Sequence, residues 1–251
     1  MTMSHLNDLA TDLHIWSTHE FRLVETADEY CGSSSIMPQK KNPQALEMIK
    51  RAGGASITWL STALSSIRGP GTGDTATREV PVTDEALKLT RDMLDLMNGV
   101  LDILTVHEDR MRELVGKNWS TANNLADFFV KEKGISYRTA HHVVGRLVRI
   151  ALDEGKTPME INGDMVDRAA NETIGRTLGI TVKDIKKALD PDIFVKTRVT
   201  KGSINPNEIK RMLKESNKEL KKEIEWVSSQ KDNIIKASEK LEKSINKIIS
   251  A

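Results

Sequence analysis

Apolar side chains recur at three- and four-residue intervals over stretches of about twenty residues, a period that leaves few folds open. From Thr83 to Val106 the series runs Leu87, Leu89, Met93, Leu96, Met97, Val100, Leu101 and Leu104, which is one face of a long helix. Met3, Leu6, Leu9, Ala10, Leu13 and Trp16 show the same spacing from the first residues onward, with no capping sequence ahead of them. Leu46, Ile49, Ile57, Leu60 and Leu64 form a third apolar face between Pro43 and about Ile67, where Arg68-Gly-Pro-Gly-Thr-Gly73 ends it, because Gly and Pro cannot continue a helix without loss. Three long one-faced helices in succession predict a bundle. Alternating Val, Ile and Thr patterns are nearly absent and aromatic residues are only 4% of the chain, which argues against a β-rich fold.

A shorter helical set follows from Glu108 to about Leu189, with breaks expected at Gly116, Gly134, Gly155, Gly163 and Gly179. Beyond Thr200-Lys-Gly-Ser203, Leu213, Leu220, Val227, Ile234, Leu241 and Ile248 repeat every seven residues, the pattern of a long helix that packs on a partner or on another copy. The expected fold is therefore all-α: a long-helix bundle segment over 1–107, a small all-helical C-terminal domain over 108–200 and a Lys-rich helical tail over 201–251. A chain that opens inside a helical pattern also predicts that a segment N-terminal to it is missing.

Composition narrows the partners. Lys and Arg total 37 against 36 for Asp and Glu, so no general attraction to nucleic acid or acidic membranes is expected, and any anion site must be local. A single cysteine, Cys31, excludes an internal disulfide framework and a cysteine-rich zinc site and fits a reducing cytoplasm. No apolar run reaches the ~18 residues of a membrane span, and no signal peptide is recognisable.

Residues 32–47 bring together several devices for holding an anion. Gly32 and three consecutive serines offer flexible backbone N–H groups and short hydroxyls. Asn42 followed by Pro43 reads as an N-cap and a first helical residue, whose positive end attracts carboxylate or phosphate with Lys40 and Lys41 just ahead of it. The same residue types also build ordinary solvated turns. The spacing of a phosphate-binding P-loop is absent.

The run Ser34-Ser35-Ile36-Met37-Pro38-Gln39-Lys40-Lys41-Asn42-Pro43 resembles the signature of the fumarase, aspartase and argininosuccinate lyase superfamily, Gly-Ser-Ser-x-Met-Pro-x-Lys-x-Asn-Pro. Met-Pro-Gln-Lys-Lys-Asn-Pro is similar to the argininosuccinate lyase branch. So are Asp12-Leu-His-Ile-Trp-Ser-Thr-His-Glu-Phe21, Asn124-Leu-Ala-Asp-Phe-Phe-Val130 and Ala140-His-His-Val-Val-Gly-Arg-Leu-Val148. The resemblance covers about residues 3–215 and implies a lyase that breaks a C–N bond by β-elimination and releases fumarate, with argininosuccinate as substrate. It implies no metal and no organic cofactor. By position, Ser34 matches the proton-abstracting base and Glu47 the acid that orients a catalytic histidine. Lys40 and Asn42 match the groups that hold substrate carboxylates, with Ser35 and Gln39 as further contacts. Stabilising the doubly charged aci-carboxylate intermediate calls for such preorganised donors and cations.

The resemblance also marks departures. Ser33 stands where the family has Gly. The segment Gly71-Thr-Gly-Asp-Thr-Ala-Thr-Arg-Glu79 replaces a Tyr-Asn-Arg-Asp run that recognises the larger half of the substrate, leaving Asp74 and Arg78 as polar candidates for leaving-group recognition. The family's histidine- and threonine-bearing motifs lie upstream of anything here, and none of His5, His14, His19, His107, His141 or His142 sits in them. The resemblance implies a tetramer in which three subunits meet at each site. It follows that the chain works as a homo-oligomer or with a separate polypeptide supplying the N-terminal half, and is inactive alone. Two other readings share the same features: a related lyase acting on another aminated succinate, and a catalytically silent helical assembly protein.

Overall fold

The structure is a computed structural model that describes residues 1–33, 36–37, 39–65, 82–117 and 119–250. Ser34, Ser35, Asp74 and Arg78 lie outside the described residues. Among the described residues the fold is all-α apart from one two-stranded ribbon, and the chain divides into two compact units, Met1–Leu114 and Val115–Ala251.

In the first unit, helices α1 (Thr2–Trp16), α2 (Gln44–Ser56) and α4 (Thr83–Asp102) pack on one another, and α3 (Trp59–Ser65) follows α2. Their buried faces carry residues that the period marks: Met3, Leu6, Ala10 and Leu13 from α1, Leu46 and Ile49 from α2, Met93, Met97 and Val100 from α4. The helices approach closely where Gly53 faces α1, since a Cβ there would lie 2.8 Å from Asn7 Cβ. None of the three is capped by a side chain.

Two boundaries differ from expectation. The stretch read as one helix from Pro43 to about Ile67 breaks between Ser56 and Trp59. Ser56 Oγ donates to Gly53 O at 2.6 Å and Thr58 Oγ1 to Ala55 O at 3.0 Å, so hydroxyls compete for the carbonyls of the last turn, beside a Gly-Gly pair that already weakens the helix. Past the break the expected apolar face is open: Ile57, Leu60 and Leu64 are 79%, 70% and 53% exposed. Helix α4 stops at Asp102 rather than near Val106, because Thr105–Val106 forms strand β2 and pairs antiparallel with β1 (Val24–Glu25). This ribbon fixes the segment that leads into the serine-rich loop. A 3₁₀ turn, Asp28–Tyr30, completes the approach, and its Tyr30 ring rests on α4 at Gly99, where a Cβ would fall 2.1 Å from the phenol oxygen.

The chain continues through α5 (Glu108–Lys117). Gly116 is its penultimate residue, so the helix ends within one residue of the break expected there. The second unit is built from α6 (Ala122–Lys133), α7 (Tyr137–Asp153), α8 (Gly163–Ile174), α9 (Val182–Leu189), α10 (Pro191–Thr197) and α11 (Pro206–Ile249). Leu125, Phe129, Val143, Leu147, Val166 and Ile185 are fully buried in its core. Its helix ends are specified locally. Ser136, Asn162, Thr181, Asp190 and Asn205 each accept a backbone N–H of the helix that follows, and Pro191 and Pro206 occupy first helical positions. Gly134 and Gly175 end α6 and α8 with φ of 63° and 68°, the left-handed conformation that costs glycine nothing.

Arg198 pairs with Asp127 at 2.9 Å and lies 4.4 Å over the Phe194 ring, securing the segment that leads to α11. The heptad stripe of the tail forms as a helical face but stays open, from 43% exposure at Val227 to 76% at Ile248.

Candidate active site

The serine-rich loop is closed at its root. Gly32 N donates to Asn42 O at 2.8 Å and Asn42 N to Gly32 O at 3.2 Å, an isolated antiparallel bridge that pinches off residues 33–41. A Cβ at Gly32 would lie 2.9 Å from Gln44 Oε1, so the bridge position suits glycine. Pro43 has φ −73° and ψ 68°, and Gln44 N reaches back to Asn42 O at 2.7 Å, an inverse γ-turn. Helix α2 consequently starts at Gln44 with Pro43 at the cap position and no side-chain cap. The expectation that Asn42 caps the helix is corrected: its main chain is committed to the bridge and the γ-turn.

The two lysines have separate settings. Lys41 Nζ lies 2.6 Å from Glu25 Oε1 and 2.7 Å from Asp28 Oδ1, which ties the loop root to β1 and to the 3₁₀ turn. The bond and charge of Lys41 hold the Glu25 carboxyl below the usual range, and the hydrogen bonds it donates to Asp28 and Glu25 raise the Lys41 ammonium well above its ordinary value. These are exposed contacts, each contributing at most about 1 kcal/mol. Lys40, the other cation of the pair, is exposed, and among the described residues no acid pairs with it.

The pH window of this clamp follows from the directions. Glu25, depressed on folding, contributes above the ordinary carboxylate value of about 4.3 and loses its contribution as pH falls through the depressed one. Lys41, raised on folding, contributes below about 10.4 and loses it as pH rises through the raised value. A nitroxide placed at Gln39→Cys in a Cys31→Ser background is therefore expected to show constant mobility from about pH 5 to 10 and greater mobility in acid. A change of mobility between about pH 6 and 8 would show that some other group governs the loop root.

A cleft of about 700 Å³ lies beside the root. Gln39, Lys40, Asn42 and Glu47 all line it, so every described residue of the expected site meets there. The cleft is also lined by groups that the sequence did not single out: His14 from the end of α1, His19 and Arg22 from the turn that follows, and His107. Lys50 Nζ lies 3.4 Å from His14 Nδ1, and His107 Nε2 lies 3.8 Å from Glu25 Oε2. Thr26 and Cys31 also line the cleft. The Thr26 hydroxyl is buried without a partner, and burial pushes the Cys31 thiol up. Among the described residues no group of three or more His, Cys, Asp or Glu side chains is placed to hold a metal.

The turn after α1 explains how Arg22 comes to face the cleft. Phe21 N and Arg22 N both donate to Thr18 O, and Leu23 N donates to Trp16 O at 2.9 Å, so the chain reverses within six residues. Arg110 braces the turn from α5, donating to Phe21 O at 3.1 Å and Glu20 O at 3.2 Å. The reversal forces Arg22 to φ 50°, and it is the one non-glycine residue with positive φ among the described residues. That conformation costs an ordinary residue about 1 to 2 kcal/mol. The residue also lines a second cavity of about 820 Å³ with His19, His107 and Arg110.

Comparison with known proteins adds to this geometry. The family model described as Lyase matches residues 1–56, and the one described as Argininosuccinate lyase C-terminal matches residues 119–196. The argininosuccinate lyase of Methanosphaera stadtmanae is 38% identical over 211 residues, covering 83% of this chain and 45% of its own length. That of Methanothermobacter thermautotrophicus is 35% identical over 217 residues, covering 86% and 46%. Among solved structures, an EDDS lyase variant with bound fumarate superposes with a TM-score of 0.85 at 33% identity, over 90% of this chain and 46% of that one. The chain thus spans about half the length of the curated relatives it matches. With the rooted loop, the helical core and these matches in agreement, the chain belongs to the argininosuccinate lyase family.

Proposed function

We propose that this chain supplies the loop-bearing part of a lyase that cleaves argininosuccinate to arginine and fumarate. The observation that carries the reading is the convergence of Gln39, Lys40, Asn42 and Glu47 on one cleft rich in cationic groups. In the reaction, the Ser34 alkoxide takes the proton from the carbon next to a carboxylate. The electron pair from that bond passes into the carboxylate as its aci form, then forms the C=C bond of fumarate as the C–N bond breaks and the amine departs. Lys40 and Asn42 hold the carboxylate whose charge grows, the point at which fixed donors contribute most. Glu47, one turn into α2, orients a histidine brought by another polypeptide segment.

Open apolar faces support assembly with further helices. Leu87, Leu94 and Leu101, spaced seven apart on α4, are 66%, 38% and 42% exposed, and Leu60 and Leu64 of α3 are open as well. Surfaces of this kind are ordinarily covered by partners. We infer a homotetramer, or an assembly with a separate N-terminal-half polypeptide, acting on its small-molecule substrate in the cytoplasm. Among the described residues no helix is long and apolar enough to cross a membrane.

The test is reconstitution. Adding a polypeptide equivalent to the N-terminal half of a relative is expected to produce fumarate from argininosuccinate, followed by its absorbance. A rate no higher than that of either chain alone would sink the proposal. A second reading, release of fumarate from another aminated succinate, is favoured by the likeness to EDDS lyase and by the unusual segment 71–79. Competition between amines in the reverse reaction with fumarate separates the two.

A further inference from the structure

We propose that Arg22 is the residue that selects the leaving half of the substrate, its guanidinium holding a carboxylate other than those presented to Lys40 and Asn42. The inference rests on the reading of the cleft as the loop's ligand site. It assigns a specific second anion position within it.

Three observations converge on Arg22. It lines the same cleft as Lys40 and Asn42, on the wall formed by the turn after α1 rather than by the loop. Among the described residues no carboxylate or carbonyl accepts from its side chain, whereas Lys41, Arg110 and Arg198 nearby in sequence or in kind are each committed to acids or carbonyls. Finally, it occupies a left-handed backbone position that glycine takes without strain. Folding alone favours glycine there, so a strained arginine with an uncommitted head points to a use for the head.

The chemistry of that use follows from the side chain. A planar guanidinium suits a carboxylate through two parallel N–H···O bonds. Lys40 and Asn42 already account for the succinate half of the substrate. An amino-acid leaving half carries a further carboxylate, and of the acids that line the cleft with Arg22, Glu25 is engaged by Lys41 and Glu47 stands on α2. Such a contact discriminates between ligands with and without the leaving half.

Calorimetric titration of the full 251-residue chain with two probes, fumarate and argininosuccinate, tests the assignment. Arg22→Gly is expected to weaken argininosuccinate binding by roughly tenfold or more while changing fumarate binding by less than about twofold. Its thermal midpoint is expected to stay level or rise by a few degrees, on the order of a relieved strain. Arg22→Lys should recover part of the affinity but not all, because the ammonium lacks the fork. Unchanged argininosuccinate affinity in Arg22→Gly overturns the inference, and so does an equal loss for both probes. Lys40→Ala separates it from the underlying reading: weakened binding of both probes in Lys40→Ala with none in Arg22→Gly sinks only the role of Arg22. No effect of Lys40→Ala on fumarate, or no binding of either probe by the unaltered chain, sinks the cleft reading and the inference with it.

Discussion

Replacing Ser34 by Ala is expected to lower fumarate release in the reconstituted assembly by roughly two to four orders of magnitude, with fold and fumarate affinity nearly unchanged. A serine hydroxyl is a poor base at neutral pH, so its proton-accepting role depends on stabilisation of the alkoxide by surrounding N–H groups and cations. Under the proposed mechanism, alanine removes the atom that takes the proton. It leaves untouched the groups that shape the ground state: the Gly32–Asn42 bridge, the Lys41 clamp and the Lys40 charge. Loss should therefore fall on kcat and spare KM, the pattern of an interaction made only in the transition state. Fumarate absorbance gives the rate and circular dichroism the fold. A rate within about threefold of the unaltered assembly would remove Ser34 from the chemistry and return the chain to the reading of a silent assembly protein.

The second large effect concerns stability. Phe129→Ala should destabilise the second unit by about 3 to 5 kcal/mol, against a typical domain margin of about 5 to 15 kcal/mol. Phe129 is fully buried, with its ring edge-on to Phe128 at 6.5 Å between centroids, in a core shared by α6, α7, α8 and α9. Interiors packed at crystal density collapse only partly around such a hole. Trp119 packs against the same cluster, so its fluorescence in a urea titration reports the change. A midpoint that does not move would mean that the core repacks freely, at odds with its density of branched side chains. The cleft around Lys40 shares no residue with this core, so fumarate binding serves as an internal control.

The helical period revealed the parts of the fold that depend on local geometry. Leu46, Ile49, Met93, Met97 and Val100 all turn inward as their spacing dictates. Ile57, Leu60 and Leu64 share the spacing but stay open, because period specifies a face and only a neighbour buries it. The α2 break was legible only in outline: Gly53-Gly54 and the Ser56 and Thr58 hydroxyls are ordinary residues until their donors find the last-turn carbonyls. Motif spacing singled out Gln39, Lys40, Asn42 and Glu47 as candidates, and all four line one cleft. The division of labour between Lys40 and Lys41 depends on Glu25 and Asp28, some thirteen to sixteen residues away, and no local pattern announces it. That Arg22, His14 and His19 line the cleft was likewise invisible in the sequence. The two histidines lie in a segment that carried the family resemblance, but the turn that aims Arg22, just beyond it, has none of the usual Gly or Asn signal for a left-handed residue.

The contrast in helix ends between the two units has a consequence for how the molecule breathes. Helices α7 to α10 of the second unit begin on their own side-chain acceptors, so each resists fraying by itself. Those that bear the loop and the cleft begin without them and leave first-turn amides to solvent. Sub-global opening is thus cheapest around the cleft, and the slowest-exchanging amides are expected in α7 and α8. Ligand and partner helices would then act on the same soft region, each raising the protection of amides that the other needs ordered.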